Sequence, residues 1–184
     1  EKKNLDILEN LALQGNTDCF ISIVTNGSVT LTSTQQKLFK IFKNLNICLS
    51  IDGIGKQFEY IRYPLKWETL LENIQQYRNL GAMLSVSFTV SNLNILYYNE
   101  IVNWFNHQQL KYNHNLVTYP VHFNIEVLPP NIKKHLSLIQ KPNEFDSELF
   151  LKFSNTLKEQ DLIKNISVKD YLPELYDIIK DYTA

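Results

Sequence analysis

The chain has 184 residues, 44% of them hydrophobic and 12% aromatic, with a net charge of −1. That is enough apolar material for one sizeable core with an appendage. A near-neutral balance with no basic run among aromatics argues against nucleic acid, and no apolar run nears the roughly 20 residues of a membrane span. The two cysteines, Cys19 and Cys48, sit inside expected strands, where a thiol acts as a small hydrophobe. Without a disulfide framework the default setting is reducing and cytoplasmic.

Leu5, Ile7-Leu8 and Leu11-Ala12 recur at helical spacing, and Gly15 stops that helix. The pattern begins at Glu1 with no cap before it, so the chain reads as an internal segment of a longer protein. Residues 19–25 form a first strand, apolar on both faces apart from Ser22. Ser33 is placed to cap a helix through Lys43, with Leu38, Phe39, Ile41 and Phe42 on one side. Residues 47–52 are the second strand. Trp67, Leu70-Leu71, Ile74 and Tyr77 mark a helix that Gly81 ends. The third strand covers 83–91, and Asn94 begins a helix to about His107. Residues 108–120 read as a polar, aromatic loop, and 121–128 as the fourth strand, ended by Pro129-Pro130. Beyond it, helices are expected over 131–139, 145–159 and 173–182, with 163–168 a short strand or a loop.

Side chains alternate faces along a strand. Cys48, Ser50 and Asp52 therefore share one face, and Ile47, Leu49 and Ile51 the other. Ser85, Ser87, Thr89 and Ser91 likewise oppose Leu84, Val86, Phe88 and Val90, and His122, Asn124 and Glu126 oppose Val121, Phe123, Ile125 and Val127. Fully buried parallel strands read as continuous apolar runs. A consistently small or polar face instead lines a cavity or meets water. Long helical segments between the strands favour parallel crossovers, with helices on the apolar face and the polar face in a lumen. The expected class is α/β: a partial (β/α) barrel segment with about four parallel strands and flanking helices over 1–130, then a mostly helical C-terminal extension over 131–184.

The densest chemical signal is Asn46-Ile-Cys-Leu-Ser-Ile-Asp-Gly-Ile-Gly55, followed by Glu59-Tyr-Ile-Arg62. It reads as a strand, a glycine-bearing turn, a loop that offers a cation, and a helix. Ligands bind at the carboxyl ends of parallel strands. A Ser-x-Asp face beside an arginine is half a binding site; in the plainer reading Asp-Gly is a common turn and Arg62 a surface residue. The four histidines, His107, His114, His122 and His135, have no i, i+4 pair and no nearby cysteine, so no metal site is expected. Gly53-Ile-Gly55 is too short for a dinucleotide fingerprint, and no nucleophile elbow occurs.

In order and spacing, Ile23-Val-Thr-Asn-Gly27, Leu49-Ser-Ile-Asp-Gly53, Tyr60-Ile-Arg62 with Lys66-Trp67, Asn73-Ile74 and Phe88-Thr-Val-Ser-Asn-Leu-Asn94 form a pattern. It resembles the radical S-adenosylmethionine (radical SAM) enzymes, in particular the twitch/SPASM-type branch. The resemblance runs from about Leu5 to His107, with a looser tail to about Lys134. It implies a partial TIM-like (β/α)6 barrel of which this chain holds the third to sixth strands. In that family a Cys-x-x-x-Cys-x-x-Cys loop binds a [4Fe-4S] cluster, and reductive cleavage of the cofactor gives a 5′-deoxyadenosyl radical that abstracts a substrate hydrogen.

Neither that loop nor the Gly-Gly-Glu segment that follows it is present, and this iron-sulfur chemistry needs three thiolates. The resemblance therefore implies a fragment of an enzyme, inactive alone, with the cluster held only in the parent protein. It carries over the cofactor's other wall. Ser50 corresponds to the ribose-contacting serine, and Arg62 to the arginine that pairs with the methionine carboxylate. Asp52 accepts from the ribose or orients Arg62. Thr25, Asn26, Ser87 and Asn92 are further lining candidates, with capping or turning the plainer role for Asn92. Glu126 faces the lumen or lies near solvent. Substrates in the branch are often peptides or protein side chains. Two other readings stand beside this one: a cluster-free α/β module that binds a nucleoside-like ligand or a peptide, and a plain scaffold whose polar strand faces meet water.

Overall fold

The computed structural model describes residues 2–133 and 144–183. Four strands, β1 (Phe20–Thr25), β2 (Asn44–Ser50), β3 (Met83–Val90) and β4 (Lys111–Leu116), form one parallel sheet in the order β1-β2-β3-β4. The flanking helices are α1 (Lys2–Leu13), α2 (Ser33–Phe39), α3 (Gly55–Ile61), α4 (Trp67–Arg78) and α5 (Tyr98–His107). Four helices follow: α6 (Pro130–Lys133), α7 (Ser147–Lys164), α8 (Val168–Tyr171) and α9 (Pro173–Thr183). This is the α/β class expected from the alternation, with C-terminal helices after it. The chain divides into two compact units, Glu1–Ser50 with Glu68–Val86, and Ile51–Trp67 with Ser87–Ala184.

In the first unit the apolar face of β2 forms the core. Leu45, Ile47 and Leu49 are buried, with Leu70, Ile74 and Tyr77 from α4 and Leu38 and Phe39 from α2. β2 pairs with β1 in parallel, Ser22 opposite Asn46 and Thr25 opposite Leu49. On the polar face Asn46 Nδ2 donates to Ser22 Oγ at 3.2 Å. The cap of α2 is Thr32, one residue before the expected Ser33. Thr32 Oγ1 accepts from Gln35 N while the Gln35 side chain accepts from Thr32 N, a reciprocal capping box. The helix stops at Phe39, short of Lys43, because Lys43 N already donates to Thr17 O and Asn44 opens β2. Past β1, Gly27 adopts φ +72°, and a Cβ there would come within 2.4 Å of Leu70 Cδ1. Its carbonyl accepts from Asn73 Nδ2 at 2.7 Å, which ties the strand exit to α4.

The second unit departs from the sequence expectation in two places. The stretch expected as a cation-bearing loop holds a helix, α3, whose Phe58 and Tyr60 are fully buried. The fourth strand is not 121–128, as expected, but Lys111–Leu116. Residues 121–128 fold as two 3₁₀ turns, Val121–Phe123 and Ile125–Val127, separated at Asn124, whose Oδ1 accepts from Glu126 N. Ile125, Val127 and Leu128 still reach the core, so burial imitates a strand's alternation without ladder pairing. Glu126 lies in the second turn, 3.9 Å from the buried Lys133 ammonium, rather than on a strand. Of the helix expected over 131–139, the part beyond 133 lies outside the described residues, as does His135. Residues 163–168 contain no strand; Asn165 closes α7 in the left-handed region and Ser167 caps α8.

Tyr60 anchors the C-terminal helices of this unit. Its hydroxyl donates to Asp161 Oδ1 at 2.7 Å, and Asp161 Oδ2 accepts from Val168 N at 2.7 Å. Lys164 Nζ donates to Tyr60 O and lies 4.7 Å from its ring centroid. Burial first, and the Asp161 carboxylate second, push the phenol well above its ordinary range, so it stays a donor. Asp161→Ala leaves the hydroxyl and the Val168 amide unpaired and is expected to cost about 2–3 kcal/mol, Tyr60→Phe about 1 kcal/mol. A urea double-mutant cycle should show coupling of about 0.5 kcal/mol or more; additive losses would separate the two residues. No helix among the described residues is long and apolar enough to cross a membrane.

Candidate functional site

At the exit of β2 the backbone passes from Ser50, half-buried on the polar face, into Asp52, which is 6% exposed. The sharp departure depends on Gly53: a Cβ there would lie 2.9 Å from Phe58 N, inside the first turn of α3. This packing brings the far end of α3 back over the strand exit, so Arg62 Nη2 meets Asp52 Oδ2 at 2.5 Å. The other carboxylate oxygen, Oδ1, accepts from Thr89 N at 2.8 Å. Both oxygens of Asp52 thus have protein partners.

The charges are unequally placed. Asp52 is buried and Arg62 keeps 26% of its side chain open to solvent. Burial raises the Asp52 carboxyl above its ordinary value; the Arg62 charge and the Thr89 amide pull it back in part. Arg62 Nε is buried and makes no hydrogen bond among the described residues. A guanidinium held at Nη2 by a carboxylate keeps its exposed N–H groups in a fixed plane, which suits a second carboxylate.

Asn94, expected from the sequence only as the start of a helix, locks the frame. It is fully buried. Its Nδ2 donates to Asp52 O at 2.9 Å and to Thr89 O at 2.8 Å, and its Oδ1 accepts from Ser91 N at 2.8 Å. One amide therefore joins the exit of β2 to that of β3, at Thr89, whose own N–H holds the Asp52 side chain.

The remaining candidates are dispersed. Ser87 is half-buried on β3, one residue from Phe88 in the core, and its carbonyl accepts from Ile51 N. Asn92 is fully buried; its Nδ2 donates to His122 O at 2.8 Å and its N to Phe123 O, so it clamps the first 3₁₀ turn. In the first unit, Thr25 lies in register with Leu49, on the face opposite Ser50, and its Oγ1 accepts from Gly27 N. Asn26 is exposed and folds its Oδ1 onto Ser28 N and Oγ, a local turn. The structure thus brings Asp52 and Arg62 into contact and gives Asn26 and Asn92 backbone-organising bonds.

No family model matches the chain, and no curated protein matches it. Solved structures do match in three dimensions. The chain shares its fold with anSMEcpe. Native anSMEcpe with bound AdoMet and Cp18Cys peptide gives a TM-score of 0.51 at 14% identity, over 89% of this chain and 45% of that one. The same protein with AdoMet and Kp18Cys peptide gives 0.53 at 12%, over 91% and 45%. The chain spans less than half the length of these neighbours.

Proposed function

We propose that this chain is the cofactor-facing barrel segment of a radical SAM enzyme of the twitch/SPASM type that modifies a peptide or protein. The observation that carries the reading is the buried Asp52 that holds Arg62 at Nη2 while part of the Arg62 side chain stays open to solvent. Fold neighbours whose structures contain AdoMet and peptides support it. In this reading Arg62 takes the methionine carboxylate, Ser50 exchanges hydrogen bonds with the ribose, and Asp52 positions Arg62 without touching the ligand. Ser87, on the same strand face as Thr89, lines the cofactor's surroundings. Asn92 serves by shaping the backbone beside Arg62's unit, and Thr25 and Asn26 by shaping the exit of β1.

The [4Fe-4S] cluster does not fit the residues of this chain. Cys19 precedes β1 and Cys48 lies near the end of β2; parallel pairing of Phe20 with Asn44 sets the two thiols several residues apart along the sheet. At the rise of an extended strand that is roughly 16 Å, too far for both thiols to reach one cluster, and three are needed. Cluster ligands, and the hydrogen-abstraction chemistry the loaded cofactor supplies, belong to the parent protein in this proposal. The same cysteine geometry favours, as a second reading, a cluster-free module that binds a nucleoside-like ligand or a peptide.

Calorimetric titration of the 184-residue chain with S-adenosylmethionine tests the proposal. Arg62→Lys keeps a charge beside Asp52 but loses the fork, and is expected to weaken binding about tenfold, as for loss of one charge-assisted bond of roughly 1.5 kcal/mol. Ser50→Ala should weaken it about fivefold. Equal affinity in both variants, with folding intact, would remove these residues from the cofactor site. Upstream cysteines in the same reading frame decide between the two readings.

A further inference from the structure

The second unit also contains a cleft of about 510 Å³, within the range of ligand-binding clefts. Four aromatic rings, Trp67, Trp104, Tyr97 and Tyr171, line it together with two carboxylates, Glu100 and Glu174. The indoles support each other, with ring centroids 5.0 Å apart at 59°, and Phe58 and Phe105 pack against them at 5.5 and 5.8 Å. These contacts hold Trp67 and Trp104 as half-buried walls rather than mobile surface rings.

The polar groups of the cleft are incompletely used. Glu100 Oε2 accepts from Gln57 Nε2 at 3.3 Å, and Gln57 Oε1 is buried without a hydrogen bond among the described residues. Tyr97 is only 7% exposed, and its hydroxyl lies against Glu174 and the start of α9. Burial and the neighbouring Glu174 carboxylate hold that phenol in its neutral form. Both carboxylates are exposed at the cleft, against one lysine, exposed Lys56. Indole faces attract cations and cover alkyl stems, while carboxylates and an unpaired amide oxygen accept N–H donors. An anion would face both glutamates, and a purely apolar group would desolvate them without recompense.

We infer that this cleft receives a basic side chain of a peptide, its alkyl stem along Trp67 and Trp104 and its guanidinium or ammonium head between Glu100 and Glu174. None of these residues is a cofactor candidate, so the inference stands whether or not the chain binds S-adenosylmethionine.

The two tryptophans of the chain both line the cleft, so intrinsic fluorescence reports on it directly. The probes are acetyl-Gly-Arg-Gly-amide and the same tripeptide with norleucine for arginine. The arginine peptide should change the emission saturably, with the norleucine peptide at least about tenfold weaker and added salt weakening only the former. Glu100→Gln with Glu174→Gln, which leaves both reporters in place, should weaken the arginine peptide at least about tenfold at unchanged circular dichroism and thermal midpoint. Equal binding of the norleucine peptide, unchanged affinity in the double variant, or no saturable response below about 10 mM would each overturn the inference.

Discussion

Asn94→Ala is expected to be the most damaging polar substitution in the chain, costing about 3 kcal/mol or more in urea unfolding. The side chain makes three hydrogen bonds from a fully buried position, to Asp52 O, Thr89 O and Ser91 N. Alanine removes all three bonds and leaves two carbonyls and an amide unpaired, each costing roughly 1–3 kcal/mol where it stays buried and unrepaired. Against a total stability of about 5–15 kcal/mol for a typical domain, that is a large share. Asn94→Asp should be no better. Its carboxylate still accepts from Ser91 N, but it cannot donate to two carbonyls and puts a second buried charge near Asp52. Ser91→Ala is the control: it loses one bond, from Leu93 N to Ser91 Oγ, and should cost about 1 kcal/mol. If Asn94→Ala matched Ser91→Ala, the asparagine would be no latch between the strand exits.

Much of the fold was legible because two strands separate their faces cleanly. Val86, Phe88 and Val90 on β3 are buried while Ser87 and Thr89 are not, and β2 repeats the pattern. The failures have a common cause: burial was read from pattern where the backbone had another way to achieve it. Val121, Phe123, Ile125 and Val127 alternate like a strand, yet the proline at 120 and the side chain of Asn124 turn the chain twice. β4 escaped notice for the opposite reason. Lys-Tyr-Asn-His-Asn-Leu has no apolar face, because as the last strand in the order it leaves most of its side chains exposed. The helix after β2 was hidden by Asp52-Gly53, a turn signal that here serves the close approach of Gly53 to Phe58 N.

The site was legible to a lesser depth. Alternation placed Ser50 and Asp52 on one face, and the arginine ten residues beyond Asp52 offered a charge. That Asp52 meets Arg62 depends on α3 folding back, which no local pattern announces. Asn94 was invisible as a latch because asparagine after a strand reads equally as a helix cap. The aromatic cleft draws on Trp67, Trp104 and Tyr171, far apart in sequence, and each ring at helical spacing reads as ordinary core.

The Asp52–Arg62 pair makes the second large-effect prediction, and pH separates its terms. Arg62→Met removes the opposing charge and leaves a buried carboxylate with one backbone donor, Thr89 N. Removing one partner of a buried pair costs about 3–5 kcal/mol; the partial exposure of Arg62 places the loss near the lower end at pH 7. In the wild type, burial already raises the Asp52 carboxyl above its ordinary value, with Arg62 the largest opposing influence. Without Arg62 it rises further. A carboxyl whose folded-state value lies above its unfolded value favours the folded state at low pH, and that contribution is lost as pH rises through the folded value. The gap in stability between wild type and Arg62→Met should therefore be widest near neutrality and shrink as pH falls below the variant's folded value. Urea midpoints measured from about pH 4 to pH 7.5 read this out. A gap that stayed constant, or widened toward acid, would mean that Asp52 is not the group Arg62 neutralises. The double variant Asp52→Asn/Arg62→Met should then be more stable than Arg62→Met alone at pH 7, since an amide still accepts from Thr89 N and carries no charge to bury.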